Sequence, residues 1–449
     1  MAQRIEELRQ SLSGDVLEPS DREYEQARLS FNLLIDRRPA AIACCVDAGD
    51  VATALAFAQA NGLEIAVRGG GHNPAGHCAV DDGLVIELSP MREVEVDPES
   101  GIARSGGGAT WLDFDAATQQ HGLATPGGVV GSTGVTGLAL GGGIGHLTAQ
   151  HGLTCDNLIG ADVVTPTGDV VRAGEDGDPE LLWGLRGGGG NFGVVTRAEF
   201  RLHPLERVVG GRLRYEGESV RDALRAFRDV DGWARNDFAC QAQLVIGESM
   251  EPGFVVLPCW TGEGGEPDEL EALRSAPGLV DDTVHPRSFL EQQKEFDPAY
   301  GVDRNYWKGH FVRELPDELI DRLVMSMTAL GRPPGEILFE SLRGAPKNID
   351  PDSAALGYRD AAFNVSVMAN WIDPAQDDEG IAWARETAAA IEPWSVSGGY
   401  ANYMQADEPL DRVRAAFGTE NFTRLQALKS RYDPDNVLHR NQNIPPFQS

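Results

Sequence analysis

The stretch Ile65-Ala66-Val67-Arg68-Gly69-Gly70-Gly71-His72-Asn73-Pro74 constrains this chain more than any other. A strand-like run feeds three consecutive glycines and then a histidine. Glycine lets backbone amides approach a ligand closely and accepts positive φ. Such a turn forms a concave nest of N–H donors that suits a diphosphate. A histidine at its mouth is a nucleophile placed against whatever the diphosphate carries. The combination suggests a flavin dinucleotide held by amides and by a covalent bond. Taken alone, the same residues also read as a glycine-rich turn with a surface histidine, because a short glycine motif is unspecific.

Further clusters narrow the choice. The second reads Gly127-Gly128-Val129-Val130-Gly131-Ser132-Thr133-Gly134-Val135-Thr136-Gly137 and continues to Gly141-Gly142-Gly143-Ile144-Gly145-His146. Residues 125–153 are almost all glycine, threonine and small apolar residues. A glycine-rich segment of that length inside a compact domain is usually functional. Cys155-Asp156-Asn157 follows, then the strand Ala161–Thr165. A third cluster is Gly187-Gly188-Gly189-Gly190-Asn191-Phe192-Gly193-Val194-Val195. It satisfies G-x-G-x-x-G formally, but a β-branched strand follows where a Rossmann fingerprint requires a helix. The chain closes on Asn441-Gln442-Asn443-Ile444-Pro445-Pro446. P-loop, H-E-x-x-H and G-x-S-x-G motifs are all missing, so NTPase, metalloprotease and serine-hydrolase readings lack support.

This ordered set resembles the vanillyl-alcohol-oxidase/PCMH superfamily in its berberine-bridge-enzyme-like branch, among the 6-hydroxy-D-nicotine-oxidase-like FAD-linked oxidases. The likeness is strong over residues 30–205, good over 395–449 and only in outline between. It implies an α+β fold with a two-part PCMH-type FAD-binding domain. That domain covers 1–205, with 405–449 returning to the flavin. A substrate-binding domain on an antiparallel sheet flanked by helices covers 206–404. The resemblance implies that His72 bonds the 8α-methyl of FAD. It assigns Arg68, Gly69, Gly70, Gly71, Asn73 and Gly76 to the first loop around the cofactor. Gly128, Thr133, Gly134, Gly137, Gly141, Gly142 and Gly145 belong to the second. Asp156 and Asn157 lead into a flavin-contacting strand, Gly193 and Val195 meet the adenine half, and Asn441 and Asn443 return to the flavin edge. Many relatives carry a second link from a cysteine eleven residues before the glycine triplet. Val130 stands there in this chain and cannot form it. Cys155 reads as a small buried residue, so a single histidyl link is expected.

The implied activity is oxidation of a small alcohol or amine by hydride transfer to flavin N5. Oxygen, giving hydrogen peroxide, or another acceptor takes the electrons. An NADPH-dependent flavin reductase on the same type of fold and a non-enzymatic flavoprotein are the competing readings. A base for the departing proton is sought in Tyr400-Ala401-Asn402-Tyr403, which resembles the family's Tyr-x-Asn-Tyr segment. Read as a strand, it puts Tyr400 and Asn402 on one face and Tyr403 on the other. Tyr403 is the first candidate and Lys308 the second. A buried lysine has a depressed pKa, and lysine occurs only at 294, 308, 347 and 429. His146, Trp371 and Trp394 are further candidates to face the flavin or wall the pocket.

Charge and cysteines bound the partners. Acidic residues outnumber basic ones 69 to 38, for a net charge of −31. Phosphate backbones and anionic membranes are therefore poor partners. The imbalance fits adaptation to molar salt, or the bias of a GC-rich genome. No run approaches the roughly 18 apolar residues of a membrane helix, and residues 1–28 lack a signal-peptide core. The six cysteines show neither C-x-x-C nor zinc spacing, so no metal is expected. A cytoplasmic protein is the expectation, with the oligomeric state open.

Overall fold

The computed structural model describes residues 2–231, 236–247, 251–297, 301–328, 335–396 and 398–447. The apolar runs Ala41–Cys44, Ile65–Arg68 and Leu84–Glu87 become parallel strands, with Leu84–Glu87 between the other two and Val16–Leu17 antiparallel at the edge. Helix Ala48–Ala60 crosses between the first two and buries Val51, Ala54, Leu55 and Ala58 against them. Asp47 caps the helix by accepting the Asp50 N–H. Asp50 is buried and takes N–H bonds from Ser13, Gly14 and Val46, which fastens the N-terminal segment.

A second, wholly antiparallel sheet runs in the order Val94–Asp97, Ile102–Gly106, Val194–Arg201, Leu158–Val164, Val170–Gly174. Its core holds Trp111, Phe114, Phe192 and Phe200. The C-terminal helices Leu410–Phe417 and Thr419–Tyr432 add Phe417, Phe422, Leu425 and Leu428 to the same core. The tail thus packs on the first part of the chain.

Residues 207–371 build a nine-stranded antiparallel sheet. Helices Val220–Asp231, Asp268–Arg274, Asp317–Ser326 and Asp377–Ile391 pack on one face through Leu224, Phe227, Leu270, Leu323 and Ile391. Alternation sends the other side chains toward the glycine loops. Leu257 meets Val129 and Val130, and Phe311 meets Ile144. Two strands of this sheet, Leu279–Asp282 and His285–Ser288, are polar and carry no apolar run to announce them.

The expected strand over 398–404 is not one. Gly399 adopts φ +126, and residue 397 lies outside the described residues. Ala401–Tyr403 then closes a single tight turn, with the amides of Tyr403 and Met404 both bonded to the Tyr400 carbonyl. Among the described residues no helix is long and apolar enough to cross a membrane, and no three His, Cys, Asp or Glu side chains gather as a metal site.

Candidate active site

A cavity lies between the glycine loops and the open face of the nine-stranded sheet. Its walls bring together fourteen of the residues singled out from sequence: Gly69, Gly70, Gly71, His72, Asn73, Gly128, Thr133, Gly134, Gly137, Gly141, Gly193, Val195, Asn441 and Tyr403. The first two loops touch backbone to backbone. A Cβ on Gly70 would lie 2.3 Å from the Gly134 nitrogen. By contrast, a Cβ on Gly137 or Gly190 would meet nothing within 4 Å. Those two glycines keep open space that side chains would fill. The amides of Gly70, Gly71 and His72 make no backbone hydrogen bond among the described residues. Thr136 Oγ1, His77 Nε2 and Asn441 Oδ1 are buried, belong to lining residues and lack a partner among the described residues. Buried polar atoms normally find partners. A glycine cradle with unfilled donors and acceptors therefore fits a dinucleotide such as FAD.

His72 sits on one side, half-buried. Its Nε2 is 2.8 Å from Ser132 Oγ and its Nδ1 3.4 Å from Thr133 Oγ1. Phe31 stacks on the ring at 4.8 Å. Burial pushes the imidazole down to about 4, so at neutral pH it is uncharged and keeps a lone pair.

Opposite, Glu340 enters from strand Gly335–Ser341. Ile337 and Phe339 join the helix-side core, so Leu338 and Glu340 line the cavity. Glu340 is 1% exposed. Tyr403 donates its hydroxyl to Oε1 at 3.2 Å, and Asn364 Nδ2 donates to Oε2 at 2.7 Å. Burial outweighs these bonds and raises the carboxyl to about 7. Trp307 stands edge-on to Tyr403 at 5.4 Å and against Phe31 at 5.4 Å, linking this group to His72. Sequence reading missed Glu340. The available signal was a carboxylate directly after the apolar run Ile337–Phe339, on the same alternation as Leu338.

The tail is drawn in by Lys429, which is fully buried. Its ammonium donates to the Asn191 carbonyl at 2.8 Å, the Leu438 carbonyl at 2.9 Å and Asp433 Oδ2 at 2.6 Å. All three donors are used. The third glycine cluster is thereby tied to the segment that supplies Leu438, Arg440, Asn441 and Gln442 to the walls. Arg440 is the sole arginine or lysine in that lining. It also went unnoticed in the sequence, as did His77 and Cys78.

Several expected residues stand elsewhere. Lys308 is on the opposite face of strand Arg304–Val312 from Trp307, bonded to Glu408 Oε1 at 2.5 Å and Asp407 Oδ1 at 3.3 Å. Burial acts to lower its pKa, but the Glu408 bond and charge prevail and raise it. Lys308 is a structural cation, and the base role expected of it is withdrawn. Arg68 turns behind the loop into a buried pair with Glu87. Gly76, Gly142 and Gly145 lie outside the lining. They allow close packing elsewhere: Cβ atoms there would strike Ile35, the Tyr358 hydroxyl and the Gly127 carbonyl. Asp156 pairs with Arg359, and Asn157 serves the carbonyls of His151 and Leu153. Asn443 is likewise outside the lining, its Oδ1 buried and unpartnered. His146 stacks on Phe296, Trp371 bonds Asp377, and Trp394 lies under Arg322. None of the three walls the cavity. Tyr400, Asn402 and Tyr403 all do, because the turn replaces the expected alternation.

Comparison with known proteins agrees with this geometry. The FAD binding domain family matches residues 39–174, and the berberine and berberine-like family matches 399–445. The (R)-6-hydroxynicotine oxidase of Paenarthrobacter nicotinovorans is 32% identical, over 97% of this chain and 97% of its own. The crystal structure of 6-hydroxy-D-nicotine oxidase from Arthrobacter nicotinovorans superposes with a TM-score of 0.87 at 30% identity, over 97% and 99% of the two chains. The glucooligosaccharide oxidase of Acremonium strictum shares the fold at 22% identity and a TM-score of 0.86, over 98% and 100%, and its FAD is 6-S-cysteinyl and 8α-N1-histidyl. An FAD cradle facing a buried carboxyl, on a chain that matches the FAD binding domain and berberine-like families and shares 32% identity with 6-hydroxynicotine oxidase over 97% of its length, makes this protein an enzyme of the berberine-bridge-enzyme-like family of FAD-linked oxidoreductases.

Proposed function

We propose that the enzyme oxidises a small alcohol or amine, with its FAD attached once, through His72. In this reading residues 1–205 and 405–449 form the FAD-binding domain and 206–404 the substrate-binding domain. The observation that carries it is the pairing of a neutral histidine and a buried carboxyl of near-neutral pKa on two sides of one cavity. When bound, the flavin supplies a hydride acceptor at N5 and passes two electrons to oxygen, giving hydrogen peroxide, or to another acceptor.

The protein side of the reaction follows from the walls. Glu340 accepts the proton that leaves the substrate O–H or N–H as the neighbouring C–H bond breaks. Its pKa near 7 matches the requirement for a base working near neutrality. Tyr403 holds Glu340 Oε1 and orients the substrate heteroatom. Trp307, Leu338 and Met368 supply apolar walls that shed water. Val129 and Val130 line the cavity where bicovalent relatives need a thiol. Cys155 is packed with Ile144 and Tyr358 outside the lining, which supports a single link.

The test is a peroxide assay across secondary amines and secondary alcohols, with anaerobic flavin bleaching as a second readout. Turnover of members of either class is the expected result. Bleaching by NADPH with no response to either class would instead establish the reductase reading.

The net charge of −31 supports a protein adapted to high salt, because like charges repel unless screened. The thermal midpoint should rise by about 10 °C between about 0.1 M and about 2 M KCl. A flat or falling midpoint would return the acidity to genome bias. The cysteine pattern, with neither C-x-x-C nor zinc spacing, fits a reducing compartment and so a cytoplasmic location, which cell fractionation tests.

A further inference from the structure

Glu340 is flanked by primary amides on both neighbouring strands. Gln241 pairs with it from strand Phe238–Ile246, and Asn364 from strand Phe363–Trp371. Both amides are buried. Asn364 donates Nδ2–H to Glu340 Oε2 at 2.7 Å, while its Oδ1 has no partner among the described residues. The Ser366 hydroxyl, two residues along on the same face, is also buried and unpartnered. Gly309 explains the opening. A Cβ there would lie 2.8 Å from Ser366 Oγ and 3.3 Å from Asn364 Oδ1, and glycine leaves that space empty.

A primary amide carries a donor and an acceptor at one end, and rotation about its last bond exchanges them. A carboxylate only accepts, whereas a carboxylic acid must also donate. A base that takes up and releases a proton in a dry site therefore needs a neighbour that can do both. Tyr403 and Asn364 are the two neighbours bonded to the carboxyl. Asn364 is the one whose opposite atom is unspent, and rotation would turn its Nδ2 toward the open Ser366 hydroxyl.

We propose that Asn364 is the positioning residue of Glu340, donating through Nδ2 to the carboxylate and, after rotation, accepting through Oδ1 from the acid. Glu340 then changes protonation without changing place. The inference rests on the reading of Glu340 as the base. The titratable groups facing Glu340 are few. Tyr400 and Tyr403 come from the turn packed on the strand, and Glu336 lies four residues back on the same face. His72, His77 and Arg440 stand elsewhere on the cavity wall. Lys308 and His310 of strand Arg304–Val312 alternate to the opposite face. Gln241 has both amide atoms unpartnered among the described residues but is not bonded to the carboxyl, so Asn364 is the amide in contact that can adjust.

Asn364→Asp keeps the shape but cannot donate to a carboxylate, and Asn364→Leu removes both functions. The readouts are the acid limb of kcat/KM and the infrared carbonyl band of Glu340, identified by its loss in Glu340→Gln. In Asn364→Asp the limb and the band should both move up by about one pH unit or more, costing about fivefold at pH 7 and about tenfold below pH 6, and recovering by about pH 9. Asn364→Leu should move them the same way. If Asn364→Leu fails to fold, Asn364→Asp decides alone. An unmoved band and limb, or a loss equal at every pH, overturns the proposal. A band that shifts while Glu340→Gln keeps full turnover supports the positioning role and removes Glu340 as the base.

Discussion

Replacing His72 with alanine is expected to move the yellow colour from the acid-precipitated protein to the supernatant. In the unsubstituted enzyme about one flavin per chain should stay with the pellet, and in His72→Ala essentially none. The physical case is local. A histidine becomes a nucleophile only when uncharged, and burial pushes His72 down to about 4, far below working pH. Ser132 and Thr133 hold the two ring nitrogens and Phe31 holds the plane, so the ring is aimed as well as neutral. The glycine cradle remains in the variant, so flavin should still bind and saturate on addition. Turnover should fall while binding survives, because the histidyl bond draws electrons from the ring and raises its potential. Colour retained by the His72→Ala pellet would show that another side chain carries the bond. Cys78, six positions on and in the same wall, is then the one to replace.

How much of this site could be read from the chain depends on what kind of signal each residue leaves. Glycine loops are legible because few residues tolerate the close backbone approach seen between Gly70 and Gly134. Sheet strands such as Phe363–Trp371 and Phe238–Ile246 are legible because apolar residues alternate along them with small or polar ones. The polar strands Leu279–Asp282 and His285–Ser288 carry no such mark. Lys308 drew notice for its rarity, yet its parity along the strand points it at Glu408 rather than the cavity. Glu340 is conspicuous only once Leu338 is known to face the cavity, which is a tertiary fact. The turn at Ala401–Tyr403 was misread because one glycine at φ +126 overrides the alternation of its neighbours. Arg440 and Lys429 act through contacts with residues hundreds of positions away, where no local pattern can reach.

Glu340→Gln should lower kcat by about 10²–10⁴-fold, with flavin loading and KM little changed. The amide is nearly isosteric, so Tyr403 and Asn364 keep a partner and the cavity keeps its shape. Only the proton acceptor is lost. Anaerobic flavin reduction should slow by the whole factor, whereas reoxidation by oxygen, which needs no substrate base, should not. The pH dependence has a definite sign. The carboxyl is raised to about 7 by burial, so its basic form is present above that pH and lost as pH falls through it. The enzyme's kcat/KM should therefore climb through about pH 7 to a plateau, and in Glu340→Gln that limb should vanish. Stability should move the other way. Ionising a carboxyl whose folded pKa exceeds its unfolded one opposes folding, increasingly as pH rises from the ordinary glutamate range to about 7, and by a constant amount above that. Glu340→Gln should accordingly melt higher than the unsubstituted enzyme in alkaline buffer and lose that advantage in acid. A variant slower in chemistry yet more stable above neutrality is the signature of a base kept in a dry site at the expense of the fold. A variant that turns over within about threefold of the unsubstituted enzyme would leave Tyr403 to remove the proton unaided, because a base worth only that much is not taking the proton in the transition state.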